Sequence, residues 1–273
     1  MASQLISSTR LVWITIVVLW VSAGCSTSSK VKTEAPEEFG RKERALGEVL
    51  VPDVTARIQS KQEIELDIYL RRVLSRVTSA IGGRFKDTPV GVHVYQDRKG
   101  QLTSYALPGL RVFVSVQALK ALQYESELAS LFAYEAAKVE AGLLLSRVAI
   151  SIDAPTRVDE LSIEVPPDEF KKRLPTNPDF FGPQGYFAFS EEEKTAALKR
   201  AVTILYDAGF DPRGILSLLE GWHKAGAKSP WPVETFDELR EEVRTELNRY
   251  PPLRNPVVRS EEFIKMLKRI ERL

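Results

Sequence analysis

One cysteine and two histidines occur in 273 residues. A single cysteine, Cys25, excludes an intramolecular disulfide framework. The two histidines leave little imidazole for a metal centre. His93 falls in an alternating strand pattern and His223 near the end of a helical stretch, where a cation is favoured. Charge of either sign is not in excess, since the net charge is +1, so no general nucleic-acid field is expected. Long apolar runs are scarce. The one clear run, Leu11 to Val21, is short for a membrane span of about 20 residues. No tetratricopeptide-like repeat is found.

What is present suits a globular domain: 44% hydrophobic and 27% charged residues. The chain divides into three parts. Residues 1–25 read as a lipoprotein signal peptide, with Arg10 ahead of the apolar run and Ser22-Ala23-Gly24-Cys25 resembling a bacterial lipobox. Ser22 departs from the apolar residue usual there. Cys25 is the expected lipidation site, with Ser26 after it resembling an outer-membrane sorting signal. A plainly cleaved secretory signal and an uncleaved anchor are the competing readings. Residues 26–40 read as a flexible polar tether. Residues 41–273 read as the folded domain.

Within that domain a short helix is predicted before Val51-Pro52-Asp53. A longer one follows over 60–81, with Leu66, Leu70, Val73, Val77 and Ile81 on one face. Arg71, Arg72 and Arg76 read as its solvated face. Residues 89–96 alternate as a strand, with His93 opposite the valines. A second strand runs from Arg111 to Val116, entered by Ala106-Leu107-Pro108-Gly109. Helices are predicted over 117–123, 125–145, 190–208, 212–224, 234–249 and 260–272. Ser190 and Glu193 form a capping-box pattern, and Phe263, Ile264, Leu267 and Ile270 mark the last helix's apolar face. Residues 150–189, rich in proline and aromatics, read as a long irregular loop able to cap a cleft.

The helix over 125–145 organises the rest. It carries Glu125-Ser-Glu-Leu-Ala-Ser-Leu-Phe-Ala-Tyr134-Glu135-Ala-Ala-Lys138 and is apolar enough to be buried. A buried Glu135 is costly alone. Lys138, at i+3, either pairs with it or snorkels to solvent. Four blocks flank this helix: Ser104-Tyr-Ala-Leu-Pro-Gly-Leu-Arg-Val-Phe-Val114 before it, then Ser190 to Leu198, Ala208-Gly-Phe-Asp-Pro-Arg213 and Tyr250-Pro251-Pro252 after it.

These blocks resemble the zincin metallopeptidase family of CAAX prenyl endopeptidases, the heat-shock membrane protease and outer-membrane lipoprotein proteases. The family pattern reads N-A-F-A-L-P-G-G-x-I-F-V, E-x-E-L-A-x-V-x-A-H-E-x-x-H, S-x-x-x-E-x-E-A-D, A-G-Y-D-P and H-P. The likeness covers roughly residues 42 to 270. It implies a helix-rich α+β zincin-like domain with a small sheet. It also implies that Tyr134, Lys138 and Ala196 stand at former metal-ligand positions, and Leu198 and Tyr250 at other former active-site positions. Glu135 keeps the position of the general base. Tyr, Lys and Ala do not make a zinc site, which needs about three N, S or O ligands. No metal or other cofactor is therefore expected.

In the family the strand before the zinc helix is a sheet edge to which an extended substrate adds. Here that implies a candidate peptide-binding edge at Val112, Phe113, Val114 and Ser115. The expected function is a lipid-anchored envelope pseudopeptidase acting by protein binding, as scaffold, adaptor or regulator in envelope quality control. Its partners would be envelope proteins or extended polypeptide segments, with no nucleic acid. Its place would be the periplasmic side of a bacterial envelope, at the outer membrane. An active zinc endopeptidase with atypical ligands and a purely structural lipoprotein are the alternatives.

Overall fold

A computed structural model describes residues 36–82, 85, 88–145, 189–229 and 235–273. All of them lie in one compact unit, Ala35–Leu273. The signal segment, Cys25, the first ten tether residues and nearly all of the 150–189 loop lie outside the described residues.

The chain order is α1 (Pro36–Arg57), β1 (Gln59–Lys61), α2 (Ile64–Ser79), β2 (Gly91–Gln96), β3 (Ser104–Leu107), β4 (Arg111–Ser115), α3 (Val116–Ala121), α4 (Glu125–Glu140), α5 (Glu191–Asp207), α6 (Gly214–Ala225), α7 (Phe236–Leu247) and α8 (Glu261–Ile270). This is a helix-rich α+β fold with one four-stranded sheet.

Helix α1 corrects two sequence expectations. Residues 36–40 are helical rather than tether, and the helix runs through Pro52 instead of ending before it. Proline in a helix interior removes one backbone hydrogen bond. Here Pro52 and Glu48, four residues earlier, are both exposed, so water can serve the freed carbonyl. The buried stripe of α1 is Glu43, Gly47, Leu50 and Val54, spaced i, i+4, i+7 and i+11. Gly47 lets the helix sit directly on the β3–β4 turn, because a Cβ there would lie 2.2 Å from the Pro108 carbonyl oxygen.

Helix α2 buries Leu66, Leu70, Val73 and Val77 as its periodicity predicts, and Ile81 is half-buried. Its arginines are exposed but not idle. Arg72 pairs with Glu262 of α8, and the Arg76 guanidinium donates to the Ala208 carbonyl at 2.8 Å.

The sheet order is β1-β2-β4-β3. Strands β2 and β4 are parallel, with Val92 opposite Val112 and His93 opposite Phe113. Strand β3 pairs antiparallel with β4. Strand β4 is therefore interior. The expectation that Val112, Phe113, Val114 and Ser115 form an open peptide-binding edge is corrected: both sides of β4 are paired and all four residues are buried. The edges are β1 and β3, and β3 is buried throughout.

Helix α4 is the central element, packed against α2, α5, α6 and β3. It ends at Glu140, earlier than the pattern to 145 suggests, where Gly142 adopts a positive φ of 70°. The capping box of α5 forms as expected, with the Glu193 N–H donating to Ser190 Oγ and the Ser190 N–H to Glu193 Oε2. Helix α8 buries Phe263, Met266 and Ile270, while Ile264, expected on the apolar face, is 40% exposed.

Candidate functional site

Glu135 and Lys138 lie in the third turn and at the end of α4, where the helix meets β3 and α5. Glu135 is fully buried and Lys138 nearly so. Two open readings for Lys138 are thus resolved: it does not snorkel. Its Nζ lies 2.6 Å from Glu135 Oε2. This contact is a buried ion pair. The other carboxylate oxygen, Oε1, accepts a hydrogen bond from Ser104 Oγ of β3 at 2.8 Å.

Aromatic rings line the ammonium. Lys138 Nζ is 4.4 Å from the Tyr134 ring centroid and 5.3 Å from that of Phe189, within cation–π range. Burial pushes the Lys138 pKa down, the Glu135 carboxylate opposes that, and Lys194 of α5 adds to the depression. The group is closed: Ser104, Tyr134, Glu135, Lys138 and Phe189 are all buried.

The other expected positions do not join it. Ala196 is exposed on α5, because the buried face of that helix is Ala197, Leu198, Ala201, Val202, Ile204 and Leu205. The α5 side chain that acts on Lys138 is Lys194, itself paired with Glu191 at 2.8 Å. Leu198 is core. Tyr250 packs against Tyr206, and its hydroxyl lies 2.7 Å from Thr203 Oγ1. His93 stacks on Phe113 with centroids 4.6 Å apart. Burial, with Arg111 and Arg71 nearby, takes the His93 pKa down to about 4. His223 is exposed, edge-on to Phe236.

The donor set does not suit zinc. A cationic ammonium stands beside the one carboxylate, and a phenol ring lies beside that ammonium, where neutral or anionic N, S or O ligands would be needed. Among the described residues no group of three or more His, Cys, Asp or Glu side chains is placed to hold a metal ion.

Sequence reasoning missed two features. Ser104 stands in a block read as a strand entry, yet it is the hydrogen-bond donor to Glu135. Glu43 is a second fully buried carboxylate. Its Oε2 accepts from the Gly109 N–H at 2.7 Å, while Oε1 is buried without a hydrogen-bond partner. Desolvation raises its pKa to about 8 against the lowering effect of the Gly109 bond. The available signal was its place in the 43, 47, 50, 54 stripe of α1.

No family model matches the sequence, and no curated protein matches it significantly.

Proposed function

We propose that the chain is a metal-free, zincin-like domain that works by binding other proteins. The observation that carries this reading is the Glu135–Lys138 pair, in which an ammonium supplies positive charge at the carboxylate that a zinc peptidase would use as its base. A base in this setting has no metal-bound water to deprotonate, and the group is closed to solvent. The motif blocks around α4 support the family likeness, and Ser22 to Cys25 supports lipid anchoring in a bacterial envelope. On this reading the partner is another envelope protein or an extended polypeptide segment. Because β4 is paired on both sides, the partner is held elsewhere on the domain.

The test is metal content by elemental analysis after zinc exposure, on wild type and Glu135→Gln. Binding of reduced, carboxymethylated α-lactalbumin, a soluble unfolded polypeptide, is measured beside it. No stoichiometric zinc and saturable polypeptide binding are expected. About one zinc per chain would overturn the metal-free reading. Absence of polypeptide binding would favour a purely structural role.

A further inference from the structure

A concave surface among the described residues lies apart from Glu135. It lies where the α3–α4 connection meets α8. A groove of about 340 Å³ is lined by Leu122, Tyr124, Leu267 and Ile270, with Lys120 and Arg259 at its rim and Glu271 as the only acid. Gln123 also lines it. Tyr124 is shared with an adjoining depression of about 230 Å³ against α6, which is bordered by Trp222 and Lys224 and carries one further acid, Glu220, beside the buried Glu127.

The connection is held rigid from below. Both the Gln123 and Tyr124 backbone N–H groups donate to Glu127 Oε2, at 2.6 and 3.1 Å, and the other Glu127 oxygen accepts from Ser217 of α6. Tyr124 is nonetheless 37% exposed, one of few large apolar side chains among the described residues that are. An anchored backbone presenting an exposed aromatic ring suits recognition, because little order remains to be imposed on binding.

Charge decides the kind of partner. Within the groove two exposed cations, Lys120 and Arg259, stand against one acid, Glu271. Lys120, Arg259 and Lys224 have no ion-pair partner among the described residues and are exposed. We infer that this groove docks an acidic polypeptide segment, with an apolar side chain seated between Tyr124 and α8 and flanking carboxylates on Lys120 and Arg259. The inference shares with the proposed function only the polypeptide nature of the partner. It holds whether or not the domain binds zinc.

The test uses fluorescence anisotropy of the full chain with a fluorescein-labelled peptide, acetyl-Gly-Ser-Leu-Asp-Leu-Glu-Leu-Gly-amide. A matched peptide carrying Lys in place of Asp and Glu is run beside it. Saturable binding of the acidic peptide is expected. It should weaken at least fivefold in the Lys120→Glu/Arg259→Glu variant and at 300 mM salt, and be unaffected by Arg254→Glu, a charge change outside the groove. Circular dichroism melts check that the variants fold. No saturable binding, equal binding of the basic peptide, or indifference to the charge reversal would each overturn the proposal. So would co-sedimentation with phosphatidylglycerol vesicles that depends on Lys120 and Arg259 while the peptide fails to bind, which would assign the surface to membrane.

Discussion

Glu135 and Glu43 are both fully buried carboxylates on helices, each facing the strand–turn unit that runs from β3 into β4. Their surroundings differ. Glu135 has an ammonium on one oxygen and a hydroxyl on the other. Glu43 has one backbone N–H and a bare second oxygen, and its pKa rises to about 8. The same side chain has a cation built in beside it at Glu135 and none at Glu43, where desolvation raises the pKa. Burial alone therefore does not mark a working carboxylate. What differs is the partner the fold supplies.

The sharpest way to break this comparison is to remove the cation. Lys138→Met leaves Glu135 buried without its charge partner and is expected to cost about 3–5 kcal/mol in urea denaturation. The double variant Glu135→Leu/Lys138→Met should regain most of that loss, since a well-packed apolar pair of similar volume often matches a buried ion pair. An equal loss in single and double variants would mean that Lys138 acts by packing and not by charge.

The Glu43 side of the comparison predicts a pH signature of definite sign. Its folded pKa lies above its unfolded value of 4.5. Between the two, the unfolded chain has released the proton that the folded chain keeps, so stability falls as pH rises. The slope is at most about 1.4 kcal/mol per pH unit, or about 3 kcal/mol from pH 5 to pH 7. Glu43→Gln removes the titrating group, so its stability relative to wild type should improve steadily over that window. Denaturation at pH 5, 6, 7 and 8 reads this directly, and a constant difference across the series would show that Glu43 is ionised in the folded chain.

The same two residues show what a sequence can reveal. That Glu135 and Lys138 could pair was legible because i and i+3 share a helix face, and burial followed from the apolar neighbours of α4, but the choice between pairing and snorkelling was left to the structure. The boundaries of α5 were legible from Ser190 and Glu193. Glu43 was not, since Arg41 to Glu48 reads as a charged helix and only docking on the β3–β4 turn reveals which of its acids is inside. Strand order was hidden for a related reason. The Pro108-Gly109 entry marks Arg111 to Val116 as a strand, but whether it has one neighbour or two depends on pairings with β2 and β3 that no local pattern encodes. The facing of Ala196 was hidden too: one residue along a helix is about 100° of rotation, enough to leave Ala196 in solvent while Ala197 is buried.

A smaller change probes how the charge on Glu135 is shared between its two partners. Ser104→Ala removes the hydroxyl donor at 2.8 Å while leaving the ion pair in place. Hydrogen bonds to charged groups contribute about 1.5–3 kcal/mol, neutral ones about 0.5–1.5. A loss of about 2 kcal/mol is expected in the wild-type background and about 1 kcal/mol with Glu135→Gln. The difference between those losses, from a double-mutant cycle, is the part of the Ser104 contribution that depends on charge. If it vanishes, Ser104 matters only as a packed strand residue. Should it instead approach the whole effect of Lys138→Met, the hydroxyl and not the ammonium would be the partner on which the buried Glu135 chiefly depends.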